Sequence, residues 1–147
     1  MSRKNSPGHL IHEFVVRIGS VGEAKALTLI HDAGLTMPQV IALSLLHHEG
    51  QQPITTLSRR LGLSLSATSA MVQRLVELTL VARAEDPSDR RQKQVTLTPE
   101  GLTFVDKVTA ERTAAIAHGV GTLPPDLRKQ FLEVLARVVE HLRGEMS

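Results

Sequence analysis

The sequence predicts a mainly α-helical chain interrupted once by a small β-hairpin. Three observations carry that reading. Apolar residues recur at helical spacing along most of the 147 residues. The period shifts to two only in "LVARAE" and "KQVTLT". Pro, Gly, Ser and Thr punctuate each change. Hydrophobic residues make up 41% and charged residues 22%, a globular balance that argues against a disordered chain.

The elements follow in order. Leu10, Ile11, Phe14, Val15, Ile18, Leu27 and Ile30 keep helical spacing across residues 9–31, with Gly19 and Gly22 weakening the middle and Gly34 as a stop. In "TMPQVIALSLLHHEG", Thr36 is placed to cap, Gln39 to close a capping box, Pro38 to sit in the first turn and Gly50 to end the helix. "ITTLSRRLG" is a short helix with Ile54, Leu57 and Leu61 on one side. After a tight turn, "SLSATSAMVQRLVEL" is the next, with Ser64 as N-cap. Two short helices joined by such a Gly-containing turn form a helix-turn-helix. Two short strands then enclose the loop "DPSDRR". Thr98-Pro99-Glu100 starts a helix expected to run to Ala117, with Gly119 and Gly121 ending it. Pro124 and Pro125 open the last helix, whose Phe131, Leu132, Leu135, Val138, Val139 and Leu142 form an apolar stripe.

Composition narrows the functions. The chain has no Cys, so disulfides, thiolate ligands and cysteine redox sensing are excluded. It has no Trp or Tyr and 3 Phe, which leaves little for stacking bases or rings. No Gly-x-Ser-x-Gly, His-Glu-x-x-His, phosphate-binding glycine loop or Cys nucleophile is present, so no enzyme and no cofactor is expected. No apolar run approaches the roughly 20 residues of a membrane span, and no secretory-type apolar core opens the chain. A cytoplasmic protein without a membrane partner is therefore expected.

Charge is unevenly spread. Residues 1–50 hold four Lys/Arg and four Asp/Glu, residues 51–98 hold seven and four, and residues 99–147 hold six and seven. The surplus lies in the middle third, as a polyanion partner such as double-stranded DNA would require. Placed at about 100° per residue, Thr68, Met71, Val72, Leu75 and Leu78 gather on the core side of the second short helix. Ser66, Ser69, Ala70, Gln73 and Glu77 gather opposite, with Arg74 at the margin. That face is thin and mostly uncharged, unlike an ordinary Lys/Glu surface. Ser and Gln can bond base edges and Ala can pack on a thymine methyl. Ser64, Thr55, Thr56, Arg59, Arg60 and Arg74 are suited to phosphate positioning. A hairpin after a helix-turn-helix is a wing. Arg90 at its tip suits the narrow minor groove, Asp89 can anchor the loop or hold Arg91, and Lys93 opens the second strand.

The segments "LTMPQVIALSLLHHEG", "ITTLSRRLGLSLSATSAMVQRLVEL" and "LVARAEDPSDRRQKQVTLTPEG" resemble the MarR family of bacterial winged helix-turn-helix transcriptional regulators. The resemblance covers nearly the whole chain. Its most specific part is Asp89-Arg90-Arg91 followed by "LTPEG". It implies a winged helix-turn-helix with N- and C-terminal dimerisation helices at 8–33 and 119–147, a DNA-binding module at 36–98 and a connecting helix at 99–118. It also implies a homodimer on a palindromic operator, with half-sites one duplex turn, roughly 10 bp, apart. A repressor relieved by a small phenolic or anionic ligand follows, in the bacterial cytoplasm and on the nucleoid when DNA-bound. Two positions depart from the pattern: Ala70 stands where many relatives carry a basic residue, and Thr79 where a Gly often ends the helix.

For an effector, Phe14, Arg17 and Phe104 are the candidate lining residues, Arg17 meeting an anion. Two other readings stand beside DNA binding. One is a winged-helix module that binds protein and not specific DNA. The other is a metal-responsive regulator built on histidines such as His9, His12, His47 and His48; no pair has a diagnostic metal spacing, so no metal ligand is assigned.

Overall fold

The computed structural model describes residues 6–85 and 93–145. The elements are α1 (Pro7–Asp32), α2 (Met37–Glu49), β1 (Gln52–Pro53), α3 (Ile54–Leu61), α4 (Leu65–Glu77), β2 (Val81–Glu85), β3 (Lys93–Leu97), α5 (Pro99–Gly121) and α6 (Pro125–Glu145). The chain folds into two compact units. One takes its residues from the chain up to Ala24 and from Arg112 onward; the other is residues 25–111. The division falls inside α1 and α5, not at the loops that flank them.

The unit of residues 25–111 is the winged one. Its centre is Leu43, Leu46, Leu57, Val72, Leu75, Val81 and Val95, none more than 3% exposed. Ala26 and Ile30 of α1 and Val105 and Val108 of α5 join the same core. Local chemistry sets the helix ends. Gln39 Oε1 accepts from the Thr36 N–H at 2.8 Å and from its hydroxyl at 3.0 Å. The Thr98 hydroxyl caps α5 by accepting from the Gly101 N–H at 2.9 Å. The hairpin is not alone. Gln52 and Pro53 pair with Val95 and Gln94, giving a three-stranded antiparallel sheet in the order β1–β3–β2. Two residues are too few to show a strand period, and Pro53, which has no N–H to give, suits this edge position.

α4 ends in a tight reciprocal closure. The Thr79 N–H donates to the Val76 carbonyl at 2.9 Å and the Leu80 N–H to the Leu75 carbonyl at 3.0 Å, the Schellman pattern. That pattern places its turning residue in the left-handed region, and Thr79 has φ 60°. A β-branched residue there is strained by about 1–2 kcal/mol. Thr79→Gly is therefore expected to stabilise the fold by ~1 kcal/mol once glycine's larger unfolded-state entropy is offset. A higher midpoint in urea denaturation would show it; an unmoved midpoint would mean the threonine is unstrained.

In the other unit, Phe14 packs on Phe131 with ring centroids 5.4 Å apart, and Arg112 Nη2 donates to Glu23 Oε1 at 2.9 Å. Of the two glycines expected to end α5, Gly121 does so, while the helix runs through Gly119. A Cβ at Gly119 would lie 2.7 Å from Ile18 Cγ2, so the glycine marks a close approach of α5 to α1 and not a stop. α1 also runs unbroken through Gly19 and Gly22. Much apolar surface here stays uncovered: Leu10, Ile11 and Val15 of α1, and Leu132, Leu135, Val138 and Leu142 of α6, are each 43–64% exposed.

Candidate nucleic-acid interface

The turn between α3 and α4 closes on Gly62, which takes φ 65°. The Leu63 N–H donates to the Ser58 carbonyl at 3.1 Å, and the Ser58 hydroxyl returns to the Leu63 carbonyl at 2.7 Å. Ser64 then caps α4 by accepting from the Ala67 N–H at 3.1 Å. Its hydroxyl, read from the sequence as a DNA contact, thus has a structural task. Thr68 is fully buried, and its hydroxyl donates to the Ser64 carbonyl at 2.9 Å. With Thr68, Val72 and Leu75 turned into the core, Ser66, Ala70, Gln73 and Arg74 are exposed and Ser69 is half-buried. The uncharged face faces out, as the helical period requires.

The cations around this face divide into paired and unpaired. Arg60 grips Glu49 with two hydrogen bonds, 3.0 and 2.7 Å. Arg74 Nη1 lies 3.2 Å from Glu77 Oε2. Lys93 Nζ donates to Glu85 Oε1 at 2.7 Å across the hairpin, and this contact holds the Glu85 carboxyl below its ordinary value of 4.5. Arg59 is exposed and, among the described residues, within ion-pair distance of no carboxylate. Thr55 is exposed beside it on α3, while Thr56 is half-buried. Asp89, Arg90 and Arg91 lie outside the described residues.

Arg83 is the residue that the sequence reading passed over. Strand alternation puts Val81, Arg83 and Glu85 on one side of β2, opposite Leu97, Val95 and Lys93 of β3. Val81 is core, so Arg83 projects toward α4, and its Nη2 donates to Ser69 Oγ at 3.4 Å. It brings an exposed guanidinium to the edge of the serine-and-glutamine face. The signal was available in the period of two.

The residues proposed for an effector are not left idle. Arg17 Nε donates to Glu13 Oε2 at 2.9 Å, and that bond holds the Glu13 carboxyl below its usual range. Phe14 is taken up by Phe131. Phe104 lies in the winged unit, packed against its core. Among the described residues no three His, Asp or Glu side chains gather as a metal site. His47 faces a single carboxylate, with Nε2 3.0 Å from Asp106 Oδ1. No single helix among them is long and apolar enough to cross a membrane.

Comparison with known proteins agrees with this architecture. Residues 35–93 match the model of the MarR family. YsmB of Bacillus subtilis (strain 168), an uncharacterized HTH-type transcriptional regulator, is 29% identical over 102 residues, 69% of this chain and 70% of that one. The transcriptional regulator Tm0710 of Thermotoga maritima has the same fold, with a TM-score of 0.79 over 95% of each chain at 23% identity. The structure of reduced AbfR bound to DNA superimposes with a TM-score of 0.54 and 26% identity, over 92% of this chain and 95% of that one. The matched module, the exposed face of α4 and the paired strands beside it lead to one conclusion: the chain carries a MarR-family module at residues 35–93 and is a winged helix-turn-helix DNA-binding regulator.

Proposed function

We propose that two copies of this chain form a homodimer that reads a palindromic duplex operator and represses transcription from it. The observation that carries the reading is the outward face of α4, uncharged from Ser66 through Gln73 and bordered by Arg83, which bonds Ser69; neither Arg83 nor the exposed Arg59 of α3 pairs with a carboxylate among the described residues. An uncharged polar face gains little from water-exposed ion pairing but matches the donors and acceptors of a major groove. Cations at its margins suit phosphates. AbfR, a similar structure that is bound to DNA, supports DNA as the partner. The uncovered apolar surface of α1 and α6 supports a second copy as partner, since so large an apolar area in water is costly. A two-fold pair would present two α4 helices to half-sites one turn apart. An operator held this way at a promoter excludes polymerase, hence repression. Relief by a small anionic ligand would use Arg17, which must first leave Glu13.

The test begins with the duplex the protein selects from a random-sequence library. Gln73→Ala is expected to erase preference at one base pair per half-site, by about 1–3 kcal/mol, and to leave the salt slope unchanged. Arg90→Ala is expected to weaken all duplexes and reduce the salt slope by about one, with the oligomeric state intact. Equal loss of specific and non-specific binding on changing Gln73 would remove its base-reading role.

A further inference from the structure

Leu65 is the first residue of α4, just past the Ser64 cap. Its side chain is 51% exposed, although the helix has a closed core side in Thr68, Val72 and Leu75. Leu65 lies in line with that core stripe, but at the open end of the helix the core covers only half of its side chain. The neighbouring outward groups at this end are Ser66, Ala67 and Ala70, all exposed and none charged. An exposed leucine among small groups is poorly matched to water but well matched to an apolar feature of a base edge. The major groove has one such feature, the 5-methyl group of thymine. The N-terminal residues of a recognition helix are the ones that reach base edges.

We propose that Leu65 is a specificity-determining residue that packs on a thymine methyl, so that each operator half-site carries an A·T pair at one set position. This rests on the reading of α4 as the base-reading helix. Ser64 and Ala67 support the placement, because the cap hydrogen bond between them settles where the helix begins and so where Leu65 emerges. Arg83 contributes from β2 by bonding Ser69, one turn further along the same flank as Leu65. That contact holds the flank to β2 and leaves the leucine, at the helix end, free to enter the groove.

The experiment uses the full chain and the duplex it selects from a random library. Each thymine in turn is replaced by deoxyuridine, which removes only the methyl group. Fluorescence anisotropy should show about a four-fold loss of affinity at one symmetric pair of positions, the factor that burying one such carbon supplies. Leu65→Ala should lose affinity for the thymine duplex and bind the thymine and deoxyuridine forms equally at that pair, while Leu65→Met should keep the preference. Circular dichroism of Leu65→Ala should match the parent chain, since the side chain is half in water. The proposal is overturned if the parent chain ignores every deoxyuridine, or if Leu65→Ala still discriminates at the same position. In either case a retained preference for the selected duplex over unrelated DNA would leave the base-reading role of α4 standing. Loss of that preference in the parent chain would instead remove the role itself.

Discussion

Gly101→Ala should destabilise the winged unit by about 3 kcal/mol or more, the largest single-residue effect expected here. Built on the observed backbone, a Cβ at Gly101 lies 1.9 Å from the Leu80 carbonyl oxygen, 2.9 Å from its carbon and 3.1 Å from Leu97 Cδ2. The first two are backbone atoms, so no side-chain rotation relieves the overlap. Nor can Leu80 move freely. Its carbonyl accepts from the Thr98 N–H at 3.2 Å, its own N–H closes α4, and Val81 next to it enters the core. Relief would have to pull α5 away from the strands. Thermal unfolding should show a midpoint lowered by about 10 °C. Gly121→Ala is the control, because a Cβ there meets nothing within 4 Å. If the two variants melt alike, the close approach of α5 to Leu80 is wrong.

Leu135→Glu is expected to separate the proposed dimer and lower affinity for the selected duplex by at least about 100-fold. The arithmetic is that of linked sites. A dimer holds its second helix near the second half-site at high effective concentration, and a monomer forfeits that factor of about 10²–10⁴. Leu135 belongs to none of the winged unit's core, so the half-site contacts themselves should survive. Burying a carboxylate without a partner costs far more than the lost apolar contact, which is why one substitution suffices. Sedimentation equilibrium should report a monomer, and anisotropy the weakened binding with residual non-specific affinity. A chain that still sediments as a dimer would show that the α6 stripe is not the contact surface.

The helices, the turn between α3 and α4, the caps at Thr36, Ser64 and Thr98, and the inward and outward sides of α4 were all legible in the residues. Each depends on groups within about four positions of one another, where helical geometry alone determines who meets whom. The reading went astray where a residue's partner is distant. Gly119 looks like a stop because glycine lowers helix propensity, yet its role is to admit Ile18 of α1. Arg60 reads as a phosphate-positioning residue; the sequence does not show that Glu49, 11 positions away, also bonds it. Arg83 looks like an ordinary strand residue until its Ser69 partner, 14 positions back, is in place.

By itself, then, the amino-acid order determined the mainly helical class, the hairpin, and the chemistry offered to a polyanion: serine, alanine and glutamine on one side of a short helix. Only the tertiary structure decided which arginines stay available, that a third strand at Gln52–Pro53 completes the sheet, and that Gly101 must lack a side chain. The physical reason is range. Capping and amphipathic period are local and cheap in chain entropy, whereas ion pairing, edge-strand pairing and backbone-to-backbone approach exist only after the core has brought distant segments together.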